Sequence, residues 1–214
     1  MPVFPVLLMC RMIAGAGVVD VEYLVNGLRH MAEAGHVKGW GVAYRSKNGL
    51  VVRKSASSCL VDKSIEKPFL SDLVVFHARN TSQNASIEFT HPFKAGPLWA
   101  FHNTCFSNGA YNPRKLIDHL AQYLDFKNVE SSFIKAMSEL RDFYGANCIL
   151  VSPEKMLVCV RYAPDKEDKY QMFYSDDKGL VVSSERLKDR VWSPLFDRSL
   201  LTVKPDGSYK RINF

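Results

Sequence analysis

Met9–Gly17, MCRMIAGAG, sets the terms on which the rest of the chain is read. A methionine already stands at position 1, so a second one at Met9, directly before Cys10, marks either an alternative start or the end of a short leading segment. The distinction is chemical. A thiol is a weak nucleophile at neutral pH until a neighbouring group takes its proton. A Cys10 with a free α-amine carries that group itself, since an α-amine titrates at about 7.7–8.0. With residues 1–9 attached the same nitrogen is an amide and accepts no proton. Use of Cys10 as a self-assisted nucleophile therefore requires a start at Met9 or removal of a short propeptide.

The composition narrows the classes open to the chain. Its 214 residues are 47% hydrophobic, enough for a large buried core, and read as one unit over 10–214 preceded by the 1–9 extension. The net charge of +6 comes from Lys and Arg spread along the whole length, with no basic run interleaved with aromatics. That is the pattern of a solvated surface, and no nucleic-acid partner is expected. The opening MPVFPVLL has two prolines and no basic region, which makes a poor signal peptide. No stretch approaches the roughly 20 apolar residues that span a membrane. Five cysteines without a CxxC pair suggest neither a zinc site nor a disulfide framework. The expectation is a reduced, cytoplasmic protein without metal or cofactor.

Periodicity gives the organisation. Residues 20–35, DVEYLVNGLRHMAEAG, read as an amphipathic helix capped by Asp20 and stopped at Gly35. The period then changes to that of strands in GWGVAYR, LVVRKSA, LVVFHAR and WAFHNT. Helical patterns return in PRKLIDHLAQYL, opening on Pro113, and in VESSFIKAMSELRDFYG, residues 129–145. A second strand block closes the chain: NCILVSP, KMLVCVRYA, YQMFYSD, GLVVSSERL and LLTVKPDGSYKRINF. Strand blocks separated by helices point to an α+β layered protein with two sheets. Neither GxGxxG nor GxxxxGK[ST] occurs, so the usual dinucleotide and P-loop readings fall away.

Four stretches place polar groups at strand ends: Met9-Cys10-Arg11; Gly39-Trp40-Gly41; His77-Ala78-Arg79 with Thr90-His91-Pro92-Phe93 behind it; and His102-Asn103-Thr104. A carboxamide NH₂ at Asn103 beside the backbone N–H of Thr104 offers two donors to an oxyanion; taken alone, Asn103 is a turn-capping asparagine. The Arg79 guanidinium, at the end of an apolar strand, is placed to fork onto a carboxylate or to make a surface ion pair. His77 and His102 read individually as satisfied core histidines.

In order and spacing these motifs resemble the class II glutamine amidotransferases, a branch of the N-terminal-nucleophile hydrolases, and most of all their small stand-alone members. The matches run from Met9 to Asn103, and the later helices and strands are compatible through Trp192. The resemblance implies a four-layer αββα sandwich of two mainly antiparallel sheets. It also implies hydrolysis of glutamine or another γ-glutamyl amide through a thioester, with ammonia released. By position, Cys10 is the nucleophile and, through its amine, the base; Asn103 and Thr104 form the oxyanion hole; and Arg79 holds the α-carboxylate, with His77 and His91 as neighbouring substrate-binding candidates.

Three departures stand beside the resemblance. Thr104 replaces the family's glycine. The family's acidic anchor for the substrate amine gives way to Asn112-Pro113-Arg114-Lys115, with Asp118 or Asn108 as substitutes. The third is the leading extension. Together they support an alternative, a non-catalytic relative that binds an acidic metabolite or a protein partner through Arg79, Arg114 and Lys115. The sequence specifies no oligomeric state.

Overall fold

A computed structural model describes residues 9–67, 69–81, 84–107 and 113–214. The leading segment 1–8, Asn108 and Asn112 lie outside them. In chain order the elements are β1 (Arg11–Ala16), α1 (Val21–Ala32), β2 (Trp40–Ser46), β3 (Gly49–Ser55), β4 (Leu73–Ala78), β5 (Phe93–Ala95), β6 (Leu98–Phe106), α2 (Lys115–Tyr123), α3 (Val129–Glu139), β7 (Phe143–Val151), β8 (Met156–Val160), α4 (Glu167–Tyr170), β9 (Met172–Ser175), β10 (Leu180–Ser183), β11 (Ser193–Leu195), β12 (Ser199–Val203) and β13 (Tyr209–Asn213).

Among the described residues the strands form two sheets, one ordered β11-β9-β10-β1-β4-β2-β3 and the other β13-β12-β8-β7-β6-β5. All the strand pairs within them are antiparallel. Side-chain alternation decides what each face meets. On β1, Met12 and Ala14 enter the core between the sheets while Ile13 joins the cluster under α1. Phe101, Ile149, Val158 and Leu201 supply the second sheet's share of the central core. Its other face carries Ala100, Leu150 and Leu157 against Leu116, Leu120, Phe133 and Met137 of α2 and α3. The result is the α+β sandwich the sequence led us to expect, in four layers of helix, sheet, sheet and helices.

Local signals explain these elements. The Asp20 carboxylate accepts from the Tyr23 N–H at 2.9 Å and caps α1. Leu24, Leu28 and Met31, one turn apart, are buried, each stabilising the fold by about 1.5–3 kcal/mol. Two elements differ from the sequence reading. The helix placed over 129–145 stops at Glu139, because Asp142 takes a left-handed φ of 58° and the chain continues as β7. The helix-like spacing of Phe143 and Tyr144 belongs to a strand end. Arg11–Ala16, to which the sequence reading assigns no strand, lies inside the seven-stranded sheet between β10 and β4. Small residues at 14–16 weaken its strand signature, and burial on both faces compensates.

Candidate active site

The sheet register brings the two ends of the argument together. Arg11 on β1 pairs with Ala78 on β4, so the next pair outward is Cys10 and Arg79. The Cys10 thiol donates to the Asn80 carbonyl at 3.7 Å, a long contact of a weak donor. From the opposite sheet, Asn103 on β6 reaches across the layer, and its Oδ1 accepts the Cys10 N–H at 3.1 Å. Cys10 and Asn103 are both buried. An oxygen committed to Cys10 leaves the carboxamide's NH₂ for a second partner.

Strand geometry decides where the Thr104 N–H points. It faces Ala146 on β7, and the Ala146 N–H is already directed to the Arg161 carbonyl at 2.8 Å on the other side. Thr104 therefore occupies a non-hydrogen-bonded position relative to β7, and its N–H points away from that strand. On that side β5 has ended at Phe93, opposite Ala100. The Cβ that glycine lacks causes no difficulty here, since Thr104 lies within β6 and is not among the positive-φ residues.

Burial pushes the Cys10 thiol up to about 11, against the pull of the Asn80 backbone and the positive charges of Arg79 and Arg11. In a chain that still carries Met9 the thiol is therefore protonated at neutral pH. Arg79 is fully buried; its Nη1 donates to the Asn84 carbonyl at 3.2 Å and to Lys38 O at 3.5 Å, and the guanidinium lies 5.9 Å from the Phe89 ring centre.

The glycine-tryptophan-glycine motif acts as a frame. Gly39 has a φ of 126°, and a Cβ there would meet Thr90 Oγ1 at 2.6 Å and Ser55 O at 2.8 Å. The Trp40 indole N–H donates to Asp62 Oδ2 at 3.0 Å on the outer face. Gly41 lets the His91 backbone pass directly over β2, where a Cβ would lie 1.8 Å from His91 O. That neighbour is backbone and cannot swing aside. Gly41→Ala is expected to destabilise the protein by about 3 kcal/mol, a fall of roughly 6–12 °C in thermal midpoint for a chain of this size; an unchanged melting curve would show that the two segments part freely.

His91 lies against His77 with ring centres 3.9 Å apart and planes tilted by 37°, and meets His102 edge-on at 4.3 Å. His102 Nε2 donates to the Pro113 carbonyl at 2.7 Å, tying the start of α2 to β6. Desolvation holds all three imidazoles below their ordinary range, His102 at about 4, and for His77 and His91 neighbouring positive charge adds to it. The trio is neutral at physiological pH and supplies no strong base.

The structure thus gathers Cys10, Arg79, Asn103 and Thr104 at one end of the inter-sheet layer, with His77 and His91 beside them. Asp118 stands apart, exposed on α2 at the other face of the second sheet. Nothing in the sequence singles out Tyr170 or His36. Tyr170 is one of nine tyrosines, in a stretch with no distinguishing pattern. His36 is buried past the end of α1, within reach of the Arg11 and Glu185 charges.

Neither protein-family models nor curated protein sequences yield a match to this chain. Solved structures do. Glutamine phosphoribosylpyrophosphate amidotransferase from B. subtilis, complexed with ADP and GMP, superposes with a TM-score of 0.75 at 14% identity, over 95% of this chain and 49% of its own. A glutamine aminotransferase class-II domain protein from Silicibacter pomeroyi gives 0.63 at 14% identity, over 96% and 99% of the two chains. A protein described as a predicted glutamine amidotransferase from Pseudomonas aeruginosa gives 0.51 at 14%, over 93% and 94%. The likeness is one of fold: the chain is class II glutamine amidotransferase-like in architecture. It spans about half the length of the B. subtilis enzyme. No helix among the described residues is long and apolar enough to cross a membrane.

Proposed function

We propose that the chain is a cysteine-dependent amidohydrolase acting on glutamine or another γ-glutamyl amide. The observation that carries this reading is the bond from the Cys10 nitrogen to Asn103 Oδ1, which joins the nucleophile's own nitrogen to the group expected to stabilise the oxyanion. In the active form the Cys10 α-amine is free and takes the thiol proton. The sulfur adds to the amide carbon, and the negative oxygen is held by the Asn103 NH₂ and the Thr104 N–H. Collapse expels ammonia with the proton returned from the ammonium, leaving a thioester. Water, deprotonated by the same amine, then releases the carboxylate and restores the thiol. Arg79, next to Cys10 on the adjacent strand, takes the substrate carboxylate, with His77 and His91 forming the neutral wall behind it. Asp118 lies on the far side of the sheet and is left out of this constellation.

The test joins two measurements on the protein from its natural source, intact mass and ammonia release from glutamine. The expected result is a chain beginning at Cys10 whose rate falls on the acid side as the amine protonates, about 7.7–8.0 before environmental shifts. A second reading, a non-catalytic relative that binds an acidic metabolite, draws on the amide nitrogen and the protonated thiol of a chain that keeps Met9. A mass that includes residues 1–9, with ligand binding and no ammonia, would establish it in place of the first.

A further inference from the structure

Tyr170 closes α4 and turns its ring into the layer between the sheets, where it is 1% exposed. Its seat is prepared by β7. The ring lies against Gly145, where a Cβ would fall 2.0 Å from Cδ1 and 2.2 Å from Cγ. The Tyr170 carbonyl accepts from Asn147 Nδ2 at 2.5 Å, fixing the backbone that carries the ring. Gly145 pairs with Cys105 and Asn147 pairs with Asn103. Two residues along a strand is one step on the same face, roughly 7 Å. The Tyr170 ring therefore sits one step from the asparagine that holds Cys10.

What the ring carries there is a hydroxyl with no hydrogen-bond partner among the described residues. The Cys105 thiol lies close enough for the two groups to perturb each other's titration, though not in the geometry of a full hydrogen bond, and Cys10 is close enough for its ionised form and that of Tyr170 to oppose each other. Burial keeps the phenol protonated, so it is a donor at every working pH. An unsatisfied buried hydroxyl is unfavourable, and in a core of this kind phenylalanine would fill the same volume without that cost.

We infer that the Tyr170 hydroxyl is a substrate-binding donor, which bonds an oxygen of the amide substrate when that substrate occupies the site at Cys10. The inference rests on the amidohydrolase reading above. It gives the site a donor from the β7 side, opposite the edge toward which the Thr104 N–H points.

Tyr170→Phe keeps the ring on Gly145 and removes only the oxygen. In the active protein, kcat/KM for ammonia release from glutamine is expected to fall about tenfold, the effect of one lost hydrogen bond. The thermal midpoint of the ligand-free variant is expected to stay level or rise. A fall in midpoint of several degrees would assign the hydroxyl a structural role and overturn the inference, as would kcat/KM within twofold of the parent. If the parent itself releases no ammonia from any γ-glutamyl amide, the amidohydrolase reading fails and takes this inference with it; an active parent with an indifferent variant sinks the inference alone.

Discussion

Replacing Cys10 by alanine is expected to lower ammonia release by about 10⁴-fold or more, the usual scale for removing a nucleophile, while leaving the fold in place. The two halves of that expectation have separate grounds. On the proposed mechanism the Cys10 thiol forms the thioester, and its neighbours among the described residues are poor substitutes: the imidazoles of His77, His91 and His102 are buried and held neutral, and burial raises the Cys105 thiol, which lies one strand step along β6 from Asn103. For the fold, Cys10 lies just outside β1, and its side chain contributes one long contact to the Asn80 carbonyl. Loss of a single sulfur from that position costs the sheet little compared with the central core behind it. Circular dichroism and thermal unfolding check the second half, and an ammonia assay the first. Residual turnover near the parent rate would end the nucleophile assignment.

Asn103 carries the second large effect. On the proposed mechanism Asn103→Ala removes one of two oxyanion donors, and kcat is expected to fall by about 10²–10³-fold. The same change also removes the acceptor that holds the Cys10 nitrogen at 3.1 Å. Asn103→Asp separates the two roles. An aspartate keeps an oxygen for the Cys10 amine but replaces the NH₂ with a second acceptor, aimed at the developing negative charge. If oxyanion stabilisation dominates, the aspartate variant loses at least as much as the alanine variant. If tethering of Cys10 dominates, aspartate recovers most of the rate, and the oxyanion role assigned to Asn103 would have to be given up. Single-turnover kinetics on the two variants distinguishes these outcomes.

Glycine positions show how far local sequence reaches. Gly39 and Gly41 mark the approach of other segments to β2, yet nothing near them says that Thr90 and His91 are those segments. Gly145 is more opaque still. In the sequence it closes a helix-like run and looks like a helix stop; in the structure it lies in β7 and bears the Tyr170 ring. Asp118 is the converse case, a carboxylate a few residues from the Arg114-Lys115 pair that the fold turns outward on α2.

Residue types, caps and alternating patterns were enough to determine the α+β fold class: an amphipathic helix begun at Asp20, two further helical segments, and the two blocks of strands they separate. Those signals are local, because capping and the periodicity of burial act over a few residues. Tertiary structure alone decided the pairings. Cys10 and Asn103 are 93 positions apart and meet only because β1 and β6 lie in different sheets whose inner faces pack together. β1 sits between β4 and β10, strands far along the chain, and Tyr170 comes nearly 70 residues after the asparagine it neighbours. Sheet order and register follow from burying whole faces at once, a free energy shared among residues distant in sequence, so they first become visible when the chain is folded.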